Sequence, residues 1–421
     1  MIKFILKLFS CFIAILGFIL LWFVVQNAFF SPPYVPHYDS EQTFDGYTLF
    51  CPTYPDEGGY VDRMGKIYLI DMNGAIVHQW LVPTSCQYAQ LLPSGNLLYA
   101  TRDRSYKNRA GLREIDHAGN VLWFYPCWID HDFEIMANGN FLIHFIEDVS
   151  NTPLSEKVVR CSRIIEVTRE GKIVWEWRAE DHAAELKKLA GIRFPVKRKD
   201  WAHNNTAHVI GPNESGKKDP RFREGNIIFS YNNISLIGII DKDTKNIVWA
   251  WGRGTLQRQH SIQMLENGHL LIYDNGAGRK YSRVLEVDPL SGEIVWEFTH
   301  PQPKKLFSPN ISGAQKLPNG NVLICSGEQN ELTRKTKESP DDTLLDKLRA
   351  FLFPPWDGRI IEVSPSKKIV WEFINYYYED KTYGIYRAIR YSPEYVSPLL
   401  EQIKHSKGKP NSSLKSLPYL A

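Results

Sequence analysis

Residues 164–177 read IIEVTREGKIVWEW. Two aliphatic residues, an acid and a valine lead into a polar turn with Gly171, and a second apolar run then ends on alternating Trp175 and Trp177. That is strand, tight turn, strand: β-branched and aromatic runs bounded by turn residues. The phrase returns five more times, as IYLIDMNGAIVHQW from Ile67, LREIDHAGNVLWFY from Leu112, IGIIDKDTKNIVWAW from Ile237, VLEVDPLSGEIVWEF from Val284 and IIEVSPSKKIVWEF from Ile360. A second hairpin phrase precedes five of the six. Its copies are QLLPSGNLLYA from Gln90, EIMANGNFLIH from Glu134, HVIGP with GNIIFS from Gly225, QMLENGHLLIY from Gln263 and QKLPNGNVLIC from Gln315. NG and SG at the turns are hairpin chemistry. Two hairpins make a four-stranded antiparallel sheet, the blade of a β-propeller, and the repeat predicts six. DGYTLFCP from Asp45 is expected to open the first blade, with GIYRAIRYS from Gly384 helping to close the ring. Closure removes free strand edges, so one domain can absorb the whole span.

Composition agrees with an all-β chain. Of 421 residues, 12 are Trp, 21 Tyr and 21 Phe, and a hydrophobic fraction of 43% excludes a disordered protein. Fifty basic and 47 acidic residues give a net charge of only +3, which argues against a protein that binds nucleic acid by neutralising phosphates. Two stretches interrupt the repeat: AEDHAAELKKLAGI from Ala179 and ELTRKTKESPDDTLLDKLRAFLF from Glu331 are expected to be helical insertions.

The uncharged run Leu8 to Val25 is long enough to span a bilayer as a helix, which takes roughly 20 residues. Lys3 and Lys7 precede it and no Lys or Arg follows until Arg63, so the N-terminus is expected in the cytoplasm and the rest on the periplasmic or other extracytoplasmic side. The expected division is a signal anchor over 1–28, a Pro-rich stalk over 29–40, the propeller over 41–395 and a C-terminal tail over 396–421. Six Cys, at 11, 51, 86, 127, 161 and 325, contain no CxxC and no adjacent pair, which argues against a redox motif or zinc ribbon; disulfides and buried thiols both remain open. No P-loop, GxGxxG with a placed acid, or HExxH occurs, so neither a nucleotide nor a metal cofactor is expected.

Aligning the second phrase on Gly139, Gly211 and Gly268 and counting back eight residues gives His131, His203 and His260. Gln87 and Ser312 occupy the position in two other blades. Such residues open the first strand of each blade, which lines the central channel, so the three imidazoles should converge there. Histidine can serve as nucleophile or proton carrier, as metal ligand, or as a hydrogen-bonded interior residue. No acid or Cys repeats at this register, which weakens the metal reading, although Asp132 could orient His131 or bind a cation.

The phrases HDFEIMANGN, DWAHNNTAHV and QHSIQMLENGHLLIYDNG, with the Trp repeat, make the sequence similar to the PAPS-independent aryl-sulfate sulfotransferases over about residues 40 to 395. That resemblance implies a six-bladed propeller and a ping-pong transferase that moves a sulfuryl group from a phenolic sulfate ester to a phenolic acceptor through a sulfohistidine. It implies His260 as nucleophile, with His203, Asn205 and His131 holding the sulfuryl group and serving the acceptor. One position departs: Asn232 stands where the family carries an Arg, and Arg253 or Arg258 could compensate. The Trp motifs also resemble those of quinoprotein propellers, which use eight blades and commonly a vicinal Cys pair. The alternative function is a membrane-anchored, non-enzymatic scaffold, a role that has no need of in-register histidines.

Overall fold

The computed structural model describes residues 34–53, 65–83, 86–101, 110–327, 358–375 and 384–406, with three helical positions at 15, 17 and 18. Its strands form six antiparallel sheets, five of four strands and one of five, arranged as the blades of a propeller. The fold class is as the repeat predicts, with one difference in the first blade. Tyr47–Thr53, expected as its opening strand, is its second; the inner strand is Gly384–Tyr391, which pairs antiparallel with it in the register Leu49↔Ile389. The first blade lacks the second hairpin phrase because the end of the chain supplies that strand. The exchange is reciprocal, since Tyr34–Tyr38 adds to the outer edge of the sixth blade against Ile369–Ile374.

The core lies between blades. Each of six apolar clusters draws on two neighbouring sheets, and adjacent residues of a middle strand face different clusters: Ile164 packs toward the fourth blade and Ile165 toward the second, Ile360 toward the first and Ile361 toward the fifth. This is why the middle strands carry consecutive aliphatic residues where a sheet solvated on one face would alternate.

The Trp of the repeat joins the blades. Indole Nε1–H groups donate to carbonyls on the outer turn of the next blade: Trp80 to Asp116 (3.1 Å), Trp123 to Arg169 (2.6 Å), Trp175 to Lys242 (2.8 Å), Trp296 to Pro365 (3.0 Å) and, across the seam, Trp371 to Met72 (2.8 Å). The turns are built to receive them. Asp71 Oδ1 accepts from the N–H groups of Asn73 and Ala75, and Gly74, at φ 76°, takes the left-handed conformation that closes the hairpin. The Glu of the repeat has a partner as well: Asn96, Asn140, Asn267 and Asn321 of the second phrase donate to Glu114, Glu166, Glu286 and Glu362 in their own blades.

Ala183–Ala190 is an α-helix between the third and fourth blades, entered through a 3₁₀ turn at Ala179–His182 and stopped by Gly191 at φ 61°. A second helix, Pro393–Ser406, lays Val396 and Leu399 into the cluster between the first two blades. The helical insertion expected from Glu331 and the anchor expected over Leu8–Val25 lie outside the described residues, apart from positions 15, 17 and 18. Among the described residues no helix is long and apolar enough to cross a membrane. Cys51 and Cys86 are buried thiols on adjacent blades with their Sγ atoms 3.0 Å apart.

The seam tryptophan should be the costliest of these residues to lose. Trp371 is fully buried, stacks on Phe373 and lies under the Arg390 guanidinium, whereas Trp296 is partly exposed. Trp371→Ala is expected to lower unfolding free energy by about 3–5 kcal/mol, and Trp296→Ala by clearly less. Equilibrium urea denaturation of the two variants reads the difference; equal losses would contradict a seam that depends on Trp371.

Candidate active site

The hairpin turns show which inner-strand residues are equivalent. The glycine N–H returns to the carbonyl three residues back at Gly95–Leu92, Gly139–Met136, Gly268–Leu265 and Gly320–Leu317. In the fourth blade the same bond joins Gly225 to Ile210, because residues 211–224 are inserted into the turn. The Gly211 alignment is therefore displaced. Five residues before the turn carbonyl stand Gln87, His131, Asn205, His260 and Ser312, and His203 precedes this register by two. The closing strand supplies the sixth member. Arg390 pairs with Thr48 as Met264 pairs with Leu270, which makes Tyr386 the counterpart of His260.

The three histidines nevertheless meet. The His131 and His203 rings lie edge to face at 4.8 Å, and Tyr386 stands 6.0 Å from His131 and 6.4 Å from His260. His131, His260 and Asn205 are buried, while the His203 side chain keeps about a third of its surface exposed. Several residues at these strand entrances hold left-handed backbone: His131 (φ 65°), His203 (φ 52°), Ser261 (φ 52°) and Ser312 (φ 92°). Strained conformations of non-glycine residues cost free energy and concentrate at functional sites.

The partners of the three rings differ. His203 Nδ1 donates to Asp200 Oδ2 at 2.6 Å, and His131 Nδ1 lies 2.9 Å from Asp130 Oδ1, whereas His260 Nδ1 meets a neutral amide, Asn275 Oδ1, at 2.8 Å. Asn275 is the Asn of the DNG phrase, and its NH₂ is surrounded by the carbonyls of Ser308, Asn310 and Ile311 at 2.7–3.1 Å. Its oxygen must therefore face the imidazole, so Nδ1 carries the proton and Nε2 the lone pair. Burial, joined by the charges of His203 and Arg387 and opposed by the Asn275 bond, pushes the His260 pKa down to about 3.

The preceding Gln explains the rest of the QH phrase. Gln259, fully buried, donates from Nε2 to Ser230 Oγ and to the carbonyls of Tyr231 and Leu236, fastening the strand entrance to the fourth blade. Asn205 donates to the Gln259 carbonyl at 2.8 Å, and Asn232 to the Arg258 carbonyl at 2.9 Å, so both clamp the backbone that delivers His260. Of the two proposed substitutes for the missing Arg, Arg258 approaches, bonded to Asn233 Oδ1 at 2.6 Å, whereas Arg253 turns outward to the carbonyl of Ala190 at the end of the inserted helix. Asp132, expected beside His131, pairs with a residue that sequence reasoning missed. Arg387 of the closing strand meets its two carboxylate oxygens at 3.2 and 3.4 Å. The missing inner strand of the first blade was the signal that could have led to Tyr386 and Arg387. Among the described residues no group of three or more His, Cys, Asp or Glu side chains is arranged to hold a metal.

The inner strands of the propeller gather two histidines around one neutral imidazole, and sequence comparison says which family this chain matches. The profile of the arylsulfotransferase (ASST) family matches residues 59–257 and 253–387. The chain belongs to that family. A search of curated proteins finds no match. One solved structure shares the fold: a protein of unknown function from Bacteroides caccae is 15% identical over 82% of this chain and 98% of its own, with a TM-score of 0.50. TolB from Acinetobacter baumannii is 12% identical over 82% of this chain and 67% of its own, with a TM-score of 0.45.

The state of His260 can be read directly. ¹⁵N-histidine NMR of the full chain should show one protonated and one bare nitrogen on this ring from neutral pH down to about 4, whereas an ordinary imidazole titrates near 6.5. Because the folded value lies below the unfolded one, the unfolded chain takes up this proton first, and the ring contributes to a loss of stability as pH falls from 6.5 to about 3. Asn275→Asp, which puts a carboxylate against Nδ1, should move the titration upward. Titration of His260 near 6.5 in the parent protein would contradict the assignment.

Proposed function

We propose that the protein is an aryl-sulfate sulfotransferase in which His260 carries the sulfuryl group. The reading rests above all on the Asn275 oxygen, which takes the Nδ1 proton and so leaves the lone pair on Nε2 of a ring that burial keeps neutral, the state a nitrogen nucleophile requires. Nε2 attacks the sulfur of a phenolic sulfate ester; the N–S bond forms as the S–O bond to the phenol breaks. The ring becomes an N-sulfoimidazolium whose charge the Asn275 oxygen meets. The leaving phenolate takes a proton from the partly exposed His203, whose other nitrogen is bonded to Asp200. In the second half, His203 accepts the proton of an incoming phenol, whose oxygen attacks the sulfur and releases neutral His260. His131 and Asn205 are assigned to holding the sulfuryl group, Asn205 also by bracing the Gln259 carbonyl. The N-terminal apolar segment is assigned as an anchor that keeps this site on the periplasmic or other extracytoplasmic face.

His260→Ala should abolish both phenolate release and transfer, while loss of His203, His131 or Asn205 should slow them by ~10²–10³-fold, the usual cost of one supporting group. Incubation with a phenolic sulfate and no acceptor should add one sulfuryl mass to the peptide containing His260, and a phenol should remove it. Full activity in His260→Ala, or an adduct elsewhere, overturns the role of His260. No turnover in the parent chain but turnover in Asn232→Arg would mark a relative that has lost the chemistry.

A further inference from the structure

Asn232 is neutral where the family resemblance implies an Arg; Arg258 reaches its Oδ1 at 3.4 Å, and the closing strand brings a further cation in from the other end of the chain. One residue beyond the histidine register lies a second layer around the axis: Tyr88, Asp132, Thr206, Ser261, Gly313 and Arg387. Arg387 is the cation of that layer, and its guanidinium reaches across to other blades. It meets the Asp132 carboxylate of the third blade, contacts the Asn205 carbonyl of the fourth at 3.4 Å and lies 5.0 Å from the Tyr88 ring of the second. Gly313 of the sixth lies against it: a Cβ there would touch Arg387 Cγ at an ordinary 3.6 Å and crowd Ser261 Oγ at 3.1 Å.

A guanidinium carries five N–H donors, and these contacts leave some of them free. Nε, buried, has no partner among the described residues. Such a donor costs free energy to leave unmet unless a ligand supplies the acceptor. The side chain is only 13% exposed, its neighbours Tyr386 and Ser261 adjoin the His260 ring in space and in sequence, and Asp132 locks its plane.

We propose that Arg387 binds the oxygens of the sulfuryl group beside His260, taking the part that an Arg at position 232 would play. The proposal rests on the sulfuryl-transfer reading above and places the cation on the first blade instead of the fourth. Asp132 adds a consequence for ligand class: with a carboxylate beside the guanidinium, the layer suits a singly charged sulfate ester better than a doubly charged phosphate ester.

The test uses the full chain in detergent with four variants: Arg387→Lys, the neutral pair Arg387→Gln with Asp132→Asn, Arg258→Gln and Arg253→Gln. Removing both partners of the buried pair together leaves neither charge stranded. Phenolate release from a chromogenic phenyl sulfate should fall by ~10²–10³-fold in kcat/KM in the double variant, recover in part with Lys, and stay at the parent value in Arg253→Gln. Inorganic sulfate, the bare probe, should raise the thermal midpoint of the parent and leave that of the double variant where it is. A double variant within about threefold of the parent in kcat/KM, or with an equal sulfate-dependent rise, overturns the proposal, as does a loss confined to Arg258→Gln. If the double variant does not fold, Arg387→Lys decides: reduced kcat/KM with a weaker sulfate response supports the role, and parent values in both overturn it. If the parent releases no phenolate from any aryl sulfate, the sulfuryl-transfer reading falls, while the sulfate response still judges Arg387 separately.

Discussion

A hydrogen bond from an indole to the backbone carbonyl of the neighbouring outer turn sets the spacing of this ring. The indole fills the wedge between two sheets and donates at its far edge, so it fixes both the distance and the angle between blades. In two places the residue whose carbonyl receives the indole also extends a cation back into the blade it has joined: Arg169 to Glu114, and Lys242 to Glu166 at 2.6 Å. Burial works against the Glu166 charge, but the Lys242 and Asn contacts prevail and hold its carboxyl below the usual value. Each such turn is thus fastened twice, once through its backbone and once through its side chain.

The fourth blade departs most from this pattern. Ile239 stands where the second, third, fifth and sixth blades carry the buried Glu, Gly238 beside it leaves the space that Phe229 fills, and residues 211–224 lengthen its first turn. The same blade holds Asn205, Asn232 and the sockets for Gln259. Relief from the repeat's own pairing frees it to brace a neighbour, and the residue it braces precedes His260. Histidines 131 and 203 are set against carboxylates and His260 against an amide, so one channel contains two kinds of imidazole environment separated by a few ångströms.

Most of the fold was legible because every blade repeats the same local chemistry: Trp175, Gly171 and the turn acids recur at fixed spacing, and strand pairing within a blade is local. The site was legible only in part. His131 and His260 share a register that a turn glycine reveals, but the insertion after Ile210 makes Gly211 a false marker and gives His203 the place that belongs to Asn205. Tyr386 and Arg387 could not be found by counting, since their register is defined by pairing with Tyr47–Thr53, more than three hundred residues earlier, and no turn glycine precedes or follows them within a hairpin. The Glu–Asn pairs inside blades were visible as recurring letters, yet nothing in their spacing says that one buried side chain answers the other.

The exchange of strands at the seam gives the site an order of assembly. Five of the six axial positions are on the chain by Ser312, but the sixth, with the guanidinium beneath it, comes from Gly384–Tyr391. A ribosome therefore emits His260 well before the layer around it can exist. A chain cut short of the closing strand would retain most of its blades and lack the axial lining of the first, so possession of a finished pocket certifies that translation ran to the last strand and that the two ends found one another.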